Sequence, residues 1–167
     1  ANDFWKVYEE ALDLALDSGI DVPGELVFTW SEIERRSFLG KVTYREDNLR
    51  KIVELHERRN LPAIITIAPF ETMNSRIPQD LRKLPYDHPE VISRLKAFID
   101  WVYEATEGLE VLAVVFGNEF DVHLALEASR GNRRWAALEN MVIAAKEHAR
   151  SLQRWETAPF ALSLIHI

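Results

Sequence analysis

Four continuous apolar runs lie between the amphipathic stretches of this sequence. They are rich in Val, Ile and Phe, do not alternate with polar residues, and cover residues 25–30, 62–70, 110–116 and 159–167. A strand that is buried on both faces of a sheet has this pattern, because neither face of the strand meets water. The runs therefore predict four strands of one sheet with helices packed on its faces.

The segments between these runs carry apolar residues at helical spacing. They predict four helices, over residues 3–17, 46–59, 89–106 and 132–155. Pro89 suits the first turn of the third helix, and Gly108 is predicted to end it. Regular alternation of helices and strands predicts a parallel sheet with crossover helices. No linker rich in Gly, Pro or Ser divides the chain, so we expect a single α/β domain over residues 1–167.

Two parallel α/β architectures could give this pattern, the doubly wound sheet and the (β/α)₈ barrel. A doubly wound sheet usually has a glycine-rich turn after its first strand, and none is present here. A (β/α)₈ barrel places its chemistry at the carboxyl ends of several strands. Polar residues follow three of the runs, at Trp30-Ser31-Glu32-Ile33-Glu34, Phe70-Glu71-Thr72 and Asn118-Glu119-Phe120-Asp121. Because a barrel takes about 250 residues, the sequence predicts a partial TIM barrel, strands two to five, with one strand upstream and three downstream.

Composition excludes several classes of function. The formal net charge is −7 and the basic clusters are short, which argues against a nucleic-acid partner. No cysteine is present, so disulfides and thiolate metal sites are excluded. No apolar run is long enough to predict a membrane span. The compartment, secretion included, and the oligomeric state are not fixed by the sequence.

The third run ends abruptly in an amide and an acid, Asn118-Glu119. Hydrolysis of a glycosidic bond needs two carboxyl groups, one to protonate the leaving oxygen and one to attack or to activate water. A partly buried strand end can keep such an acid protonated by desolvation. Adjacent strand residues point to opposite faces, so both side chains could reach one ligand only where the strand becomes irregular. Gly117 is placed to cause that irregularity.

The sequence Gly117-Asn118-Glu119 at the end of an apolar strand resembles the clan A glycoside hydrolases. In that clan an Asn-Glu pair closes the fourth barrel strand, and the Glu is the general acid/base of a retaining mechanism. Residues 28–34, FTWSEIE, also look like the second-strand end of such enzymes. The resemblance implies that Glu119 is the acid/base, that Asn118 contacts the sugar, and that the nucleophile is a seventh-strand Glu outside these residues. It implies a β-linked oligo- or polysaccharide substrate and no cofactor or metal, and we expect the 167 residues alone to have little turnover.

Three further residues are predicted to bind substrate. Trp30 could stack on a sugar face, with core packing as the alternative, and Glu32 and Asp121 could bind sugar hydroxyls. For Glu119 the alternatives are capping of the next segment and an ion pair with Arg130 or Arg133.

Two other functions are compatible with the sequence. Glu119, Asp121 and His123 share a face if the chain is extended there, and carboxylates with imidazole can bind a divalent metal. This spacing predicts, as an alternative, a metal-dependent barrel hydrolase or isomerase. The other alternative is a non-catalytic carbohydrate-binding barrel. The terminal SLIHI resembles translated sequencing adaptor, so residues 161–167 are expected to be a non-native tail and His166 is given no role.

Overall fold

The computed structural model describes residues 2–21, 24–45, 48–129, 131 and 134–163. Seven strands lie in this part of the chain: β1 (Glu25–Thr29), β2 (Glu34–Arg36), β3 (Val42–Tyr44), β4 (Ala63–Glu71), β5 (Asn74–Ser75), β6 (Val111–Asn118) and β7 (Phe160–Leu162). The central sheet has five strands, and its parallel strands follow the order β1-β4-β6-β7. The short β5 pairs with the end of β4 in the antiparallel direction. The predicted α/β fold with a mostly parallel sheet is confirmed.

Helices follow or precede each long strand. They are α1 (Asn2–Asp17), α2 (Trp30–Ile33), α3 (Leu49–Arg58), α4 (Pro89–Ala105), α5 (Phe120–Ser129) and α6 (Trp135–Ser151), with a 3₁₀ turn at Gln153–Trp155. The four predicted helices correspond to α1, α3, α4 and α6. Pro89 occupies the first turn of α4 as predicted, and the His88 side chain accepts a hydrogen bond from the backbone N–H of Glu90.

Helix α2, the hairpin β2–β3, strand β5 and helix α5 were not predicted. The antiparallel hairpin β2–β3 follows α2, with Glu34 opposite Tyr44 and Arg36 opposite Val42. Helix α5 begins directly after Glu119, where the metal alternative required extended chain. The shorter elements have too few residues to show a hydrophobic period, and α5 lacks one because its apolar residues lie on all sides of the helix.

The core lies mainly on one face of the sheet, where strand residues such as Phe28, Ile67 and Phe116 pack with the helices, whereas Val27 on the opposite face is 44% exposed. Strand β4 is its centre, since Ile65, Ile67, Ala68 and Phe70 of this strand are fully buried. Helix α4 covers the sheet with a buried stripe consisting of Val91, Leu95, Phe98, Ile99 and Val102. This packing leaves the carboxyl ends of the strands as the edge at which polar side chains collect.

Among the described residues, no helix is long and apolar enough to cross a membrane. Residues 164–167, including His166, lie outside the described residues, as do Arg130 and Arg133. The predicted non-native tail is described only over 161–163, which includes the end of β7.

Helix α1 packs on α3 through a small separate cluster built on Leu12, Leu55 and Leu61. At its margin the Tyr8 hydroxyl lies 3.4 Å from Nε2 of His56, a side chain that is 2% exposed. Burial, and secondarily the charge of Arg59, lowers the pKa of His56 below its ordinary value of 6.5. The folded state therefore favours the neutral imidazole.

This shift predicts a pH dependence of stability. Because the folded pKa is lowered, the unfolded chain binds the proton more readily, and stability falls as the pH drops below about 6.5. We expect the free energy of unfolding to be lower at about pH 5.5 than at about pH 7.5, with a weaker dependence in His56→Gln. Urea denaturation at the two pH values measures this. Equal pH dependences of the wild type and the variant would contradict the expectation.

Candidate active site at the carboxyl edge of the sheet

Polar side chains from three strand ends meet at the carboxyl edge of the sheet. Arg76, which follows β5, contacts Glu71 at 2.6 Å and Glu32 at 3.1 Å. The backbone carbonyl of Arg76 also accepts a hydrogen bond from the backbone N–H of Ser31, at 2.8 Å. Arg76 thereby joins helix α2, which follows β1, to the end of β4.

The end of β6 departs from regular strand geometry. Phe116 pairs with Ile67 and Asn118 pairs with Glu71, so a single residue of β6 lies opposite three residues of β4. Gly117 has a φ of +73° and Glu119 a φ of +52°. The predicted irregularity at Gly117 is present, and it removes the alternation that would have turned Asn118 and Glu119 to opposite faces.

Glu119 is partly buried and held by both neighbouring strands. Its Oε2 accepts a 2.6 Å hydrogen bond from the Thr72 hydroxyl, which lies just beyond β4. Its backbone N–H donates to Oγ of Ser163, just beyond β7, at 3.3 Å. In the part of the chain that the structure describes, Glu119 Oε1 and the side-chain amide of Asn118 make no hydrogen bond. One carboxylate oxygen and one amide therefore remain available to a ligand.

The left-handed backbone at this site is costly. A non-glycine residue in this region costs about 1–3 kcal/mol, and here Thr72, with a φ of +51°, faces Glu119 across the strand ends. A hydrogen bond from the Thr72 backbone N–H to the Asn118 carbonyl, 2.8 Å long, fixes the two strand ends together. Strain of this kind persists where the surrounding structure enforces it, and such places are often functional sites.

Gly117 provides a test of how tightly this strand end is packed. A Cβ at Gly117 would lie 2.8 Å from Cδ2 of Phe120, whereas one at Gly131, at a φ of +78°, would meet nothing within 4 Å. We expect Gly131→Ala to cost about 1–2 kcal/mol from the left-handed backbone alone. Gly117→Ala should cost a further ~1–3 kcal/mol from overpacking. Urea denaturation of both variants measures the difference, and equal losses would indicate that Phe120 moves aside freely.

The structure corrects the prediction for Trp30. Its side chain is fully buried, its ring stacks on Phe98 at a centroid distance of 6.0 Å, and its Nε1 donates to Glu34 Oε2 at 2.8 Å. No ring face is left for a sugar, so the core-packing alternative describes Trp30.

Glu32 and Asp121 remain near the edge in different settings. Glu32 is exposed and ion-paired with Arg76, so it lies beside the site with its charge already partnered. Asp121 is partly buried in the first turn of α5, directly after Glu119 and Phe120. A carboxylate in the first turn stabilises the helix through its dipole.

The geometry assumed for the metal alternative is wrong. Asp121 and His123 lie in helix α5, where residues two apart point in different directions. His123 is buried, with its ring against Phe70 at a centroid distance of 4.5 Å and its Nε2 3.3 Å from the Tyr86 hydroxyl. Burial, the larger effect, and the charge of Glu127 raise the pKa of Tyr86. No group of three or more potential metal ligands occurs among the described residues.

Sequence reasoning missed three residues of this edge: Thr72, Arg76 and Ser163. Thr72 directly follows a predicted strand, which was the available signal. Ser163 contacts Glu119 only because β6 and β7 are neighbours, and Arg76 depends on the return of the chain through β5. Comparison of the chain with protein-family models, with curated proteins and with solved structures gave no match.

Proposed function

We propose that the chain is part of the catalytic domain of a retaining glycoside hydrolase, with Glu119 as general acid/base. The observation that carries this proposal is the placement of Glu119. It follows the third parallel strand of the sheet, one oxygen is bound by Thr72, and neither the other oxygen nor the adjacent Asn118 amide makes a hydrogen bond to a described residue. Resemblance of Gly117-Asn118-Glu119 to clan A enzymes supports the same assignment.

The sheet is compatible with a partial (β/α)₈ barrel, which we propose as the architecture. A barrel requires parallel strands whose order in the sheet is their order in the chain, because each strand follows its neighbour around the barrel. The order β1-β4-β6-β7 has this property. A doubly wound sheet would reverse direction at a switch point, and the described strands have no reversal.

The proposed reaction proceeds in two steps. Glu119 donates a proton to the glycosidic oxygen while a second carboxylate attacks the anomeric carbon, which breaks the glycosidic bond and forms a glycosyl-enzyme ester. Glu119, now ionised, then removes a proton from water, and the water oxygen displaces the carboxylate from the anomeric carbon. We propose that the Asn118 amide bonds the sugar 2-OH, an interaction that strengthens in the transition state.

The second carboxylate is not assigned to a described residue. Glu32 and Glu71, which also follow strands at this edge, are both ion-paired with Arg76. We propose that the nucleophile is a Glu beyond the 167 residues, as the resemblance implies. These residues alone should then bind sugar without turnover.

The experiment is an assay of the full-length protein on β-linked glucans, xylans and mannans, with the anomeric configuration of the first product followed by proton NMR. Release of a product that retains the β configuration, unaffected by a chelator, is the expected result. Binding without turnover in the full-length protein would favour the non-catalytic barrel. Activity lost to the chelator and restored by a divalent ion would favour a metal-dependent enzyme, and an inverted product would exclude the retaining mechanism.

A further inference from the structure

Thr72 contributes the one side-chain hydrogen bond that Glu119 receives from a described residue. Its hydroxyl donates to Oε2 over 2.6 Å, a short distance that is typical of a hydroxyl bonded to an ionised carboxylate. Thr72 is separated from Glu119 by 47 positions in sequence and directly follows the neighbouring strand β4. The contact therefore depends on the fold and is not a local turn.

The backbone at Thr72 is arranged so that this contact can form. A β-branched residue with a positive φ is an outlier, because its Cβ substituents crowd the main chain, and Thr72 has a φ of +51°. Its N–H is bound to the carbonyl of Asn118, the residue before Glu119, at 2.8 Å. The same residue thus binds the main chain before Glu119 and the carboxylate of Glu119 itself.

The arrangement distinguishes the two oxygens of Glu119. While the Thr72 hydroxyl donates its hydrogen to Oε2, that oxygen is the poorer site for a carboxyl proton. The proton of the neutral acid is then favoured on Oε1, which accepts no hydrogen bond among the described residues. An acid that must deliver its proton to a leaving group gains from this, since the proton is held on the oxygen that Thr72 does not bind.

We propose that Thr72 is a positioning residue that fixes the Glu119 carboxylate and restricts its transferable proton to Oε1. This inference rests on the proposed function, because it assigns Thr72 a role in that reaction. Thr72 acts through its contact with Glu119, so its removal should impair proton transfer more than substrate binding.

A matched pair of variants isolates the hydroxyl. Thr72→Ser keeps the hydroxyl and Thr72→Ala removes it, while both remove the β-branch that is strained at positive φ. We expect kcat for glycosides with poor leaving groups to fall about 10- to 100-fold in Thr72→Ala, part of the ~10²–10⁴-fold that a positioned acid contributes. Thr72→Ser should stay within about 3-fold of the wild type, KM should change little in either, and activated aryl glycosides should be affected least. Equal losses in both variants, or a loss confined to KM, would overturn the proposal.

A second measurement does not depend on activity. In the 167-residue chain, the Thr72 hydroxyl proton should exchange slowly enough to be seen by NMR, with a nuclear Overhauser contact to the Glu119 side chain. The exposed Thr43 on the hairpin is the control and should exchange too fast to be seen. A Thr72 hydroxyl that exchanges as fast as that of Thr43 would overturn the positioning role. If the contact is present but Glu119→Gln retains full hydrolysis, the proposed function fails and the Thr72 hydrogen bond has only a structural role.

Discussion

Replacing Glu119 with glutamine should lower kcat/KM for β-linked oligosaccharides by about 10²- to 10⁴-fold, the range supplied by a positioned general acid. Glutamine keeps the shape of the side chain and can still accept the hydrogen bond from Thr72. It has no proton to give to an alkoxide leaving group. The expected loss therefore reflects the chemistry of the side chain and not a collapse of the strand end.

The dependence on the leaving group separates this role from a general loss of folding. Aryl glycosides whose leaving groups need no protonation should lose far less in glycosyl-enzyme formation than oligosaccharides. Glu110→Gln is the matched control, since Glu110 is exposed at the amino end of the same strand. Uniform losses on all substrates, or equal losses in Glu110→Gln, would contradict the acid/base assignment.

The strands and long helices could be predicted from the sequence because their signal is local. Buried parallel strands leave continuous apolar runs, and α4 has both a proline at its first turn and an apolar stripe. Helix α5 was not predicted because its apolar residues lie on all sides and show no helical period, and the metal alternative assumed extended chain there. That mistake made the metal alternative appear geometrically reasonable.

The candidate site could be predicted only in part, because only some of its residues have a local sequence signal. Asn118 and Glu119 were identifiable because a polar pair directly ends an apolar run. Thr72 and Ser163 contact Glu119 because β4 and β7 lie on either side of β6. The order of the strands in the sheet cannot be inferred from any single segment of the sequence. Trp30 was misassigned because its partners Phe98 and Glu34 are supplied by other elements.

Next to helix α2, which carries Glu32, a buried ion pair joins strand β2 to helix α4. The Glu34 side chain is 2% exposed and contacts the guanidinium of Arg94, which is 13% exposed and also binds Asp80. Glu34 accepts the hydrogen bond from Trp30 as well. Burial, and then the Glu34 charge, raises the pKa of Tyr44 to about 12, so the phenol beside this pair stays neutral. The buried Glu34 carboxylate is thus stabilised by the positive charge of Arg94 and by the hydrogen bond from Trp30.

Arg94→Met should therefore be among the most destabilising single changes in the chain. Methionine fills much of the volume of the arginine stem but leaves the Glu34 carboxylate buried without its cation. Removing one partner of such a pair costs about 3–5 kcal/mol. Arg36→Met is the control, because Arg36 also contacts Asp80 but its side chain is 44% exposed, and exposed pairs contribute about 0–1 kcal/mol.

The double variant Glu34→Gln/Arg94→Met tests whether the uncompensated charge is the cause. Glutamine is neutral and can still accept the hydrogen bond from Trp30, so the second substitution removes the buried charge but keeps the acceptor. Free energies of unfolding from urea denaturation of the wild type, both single variants and the double variant give the coupling energy. We expect the double variant to be more stable than the sum of the single losses predicts, by about 1–3 kcal/mol. Additive losses would mean that Arg94 stabilises the hairpin by packing its stem alone, and the cluster behind the candidate site would then be held by shape and not by charge.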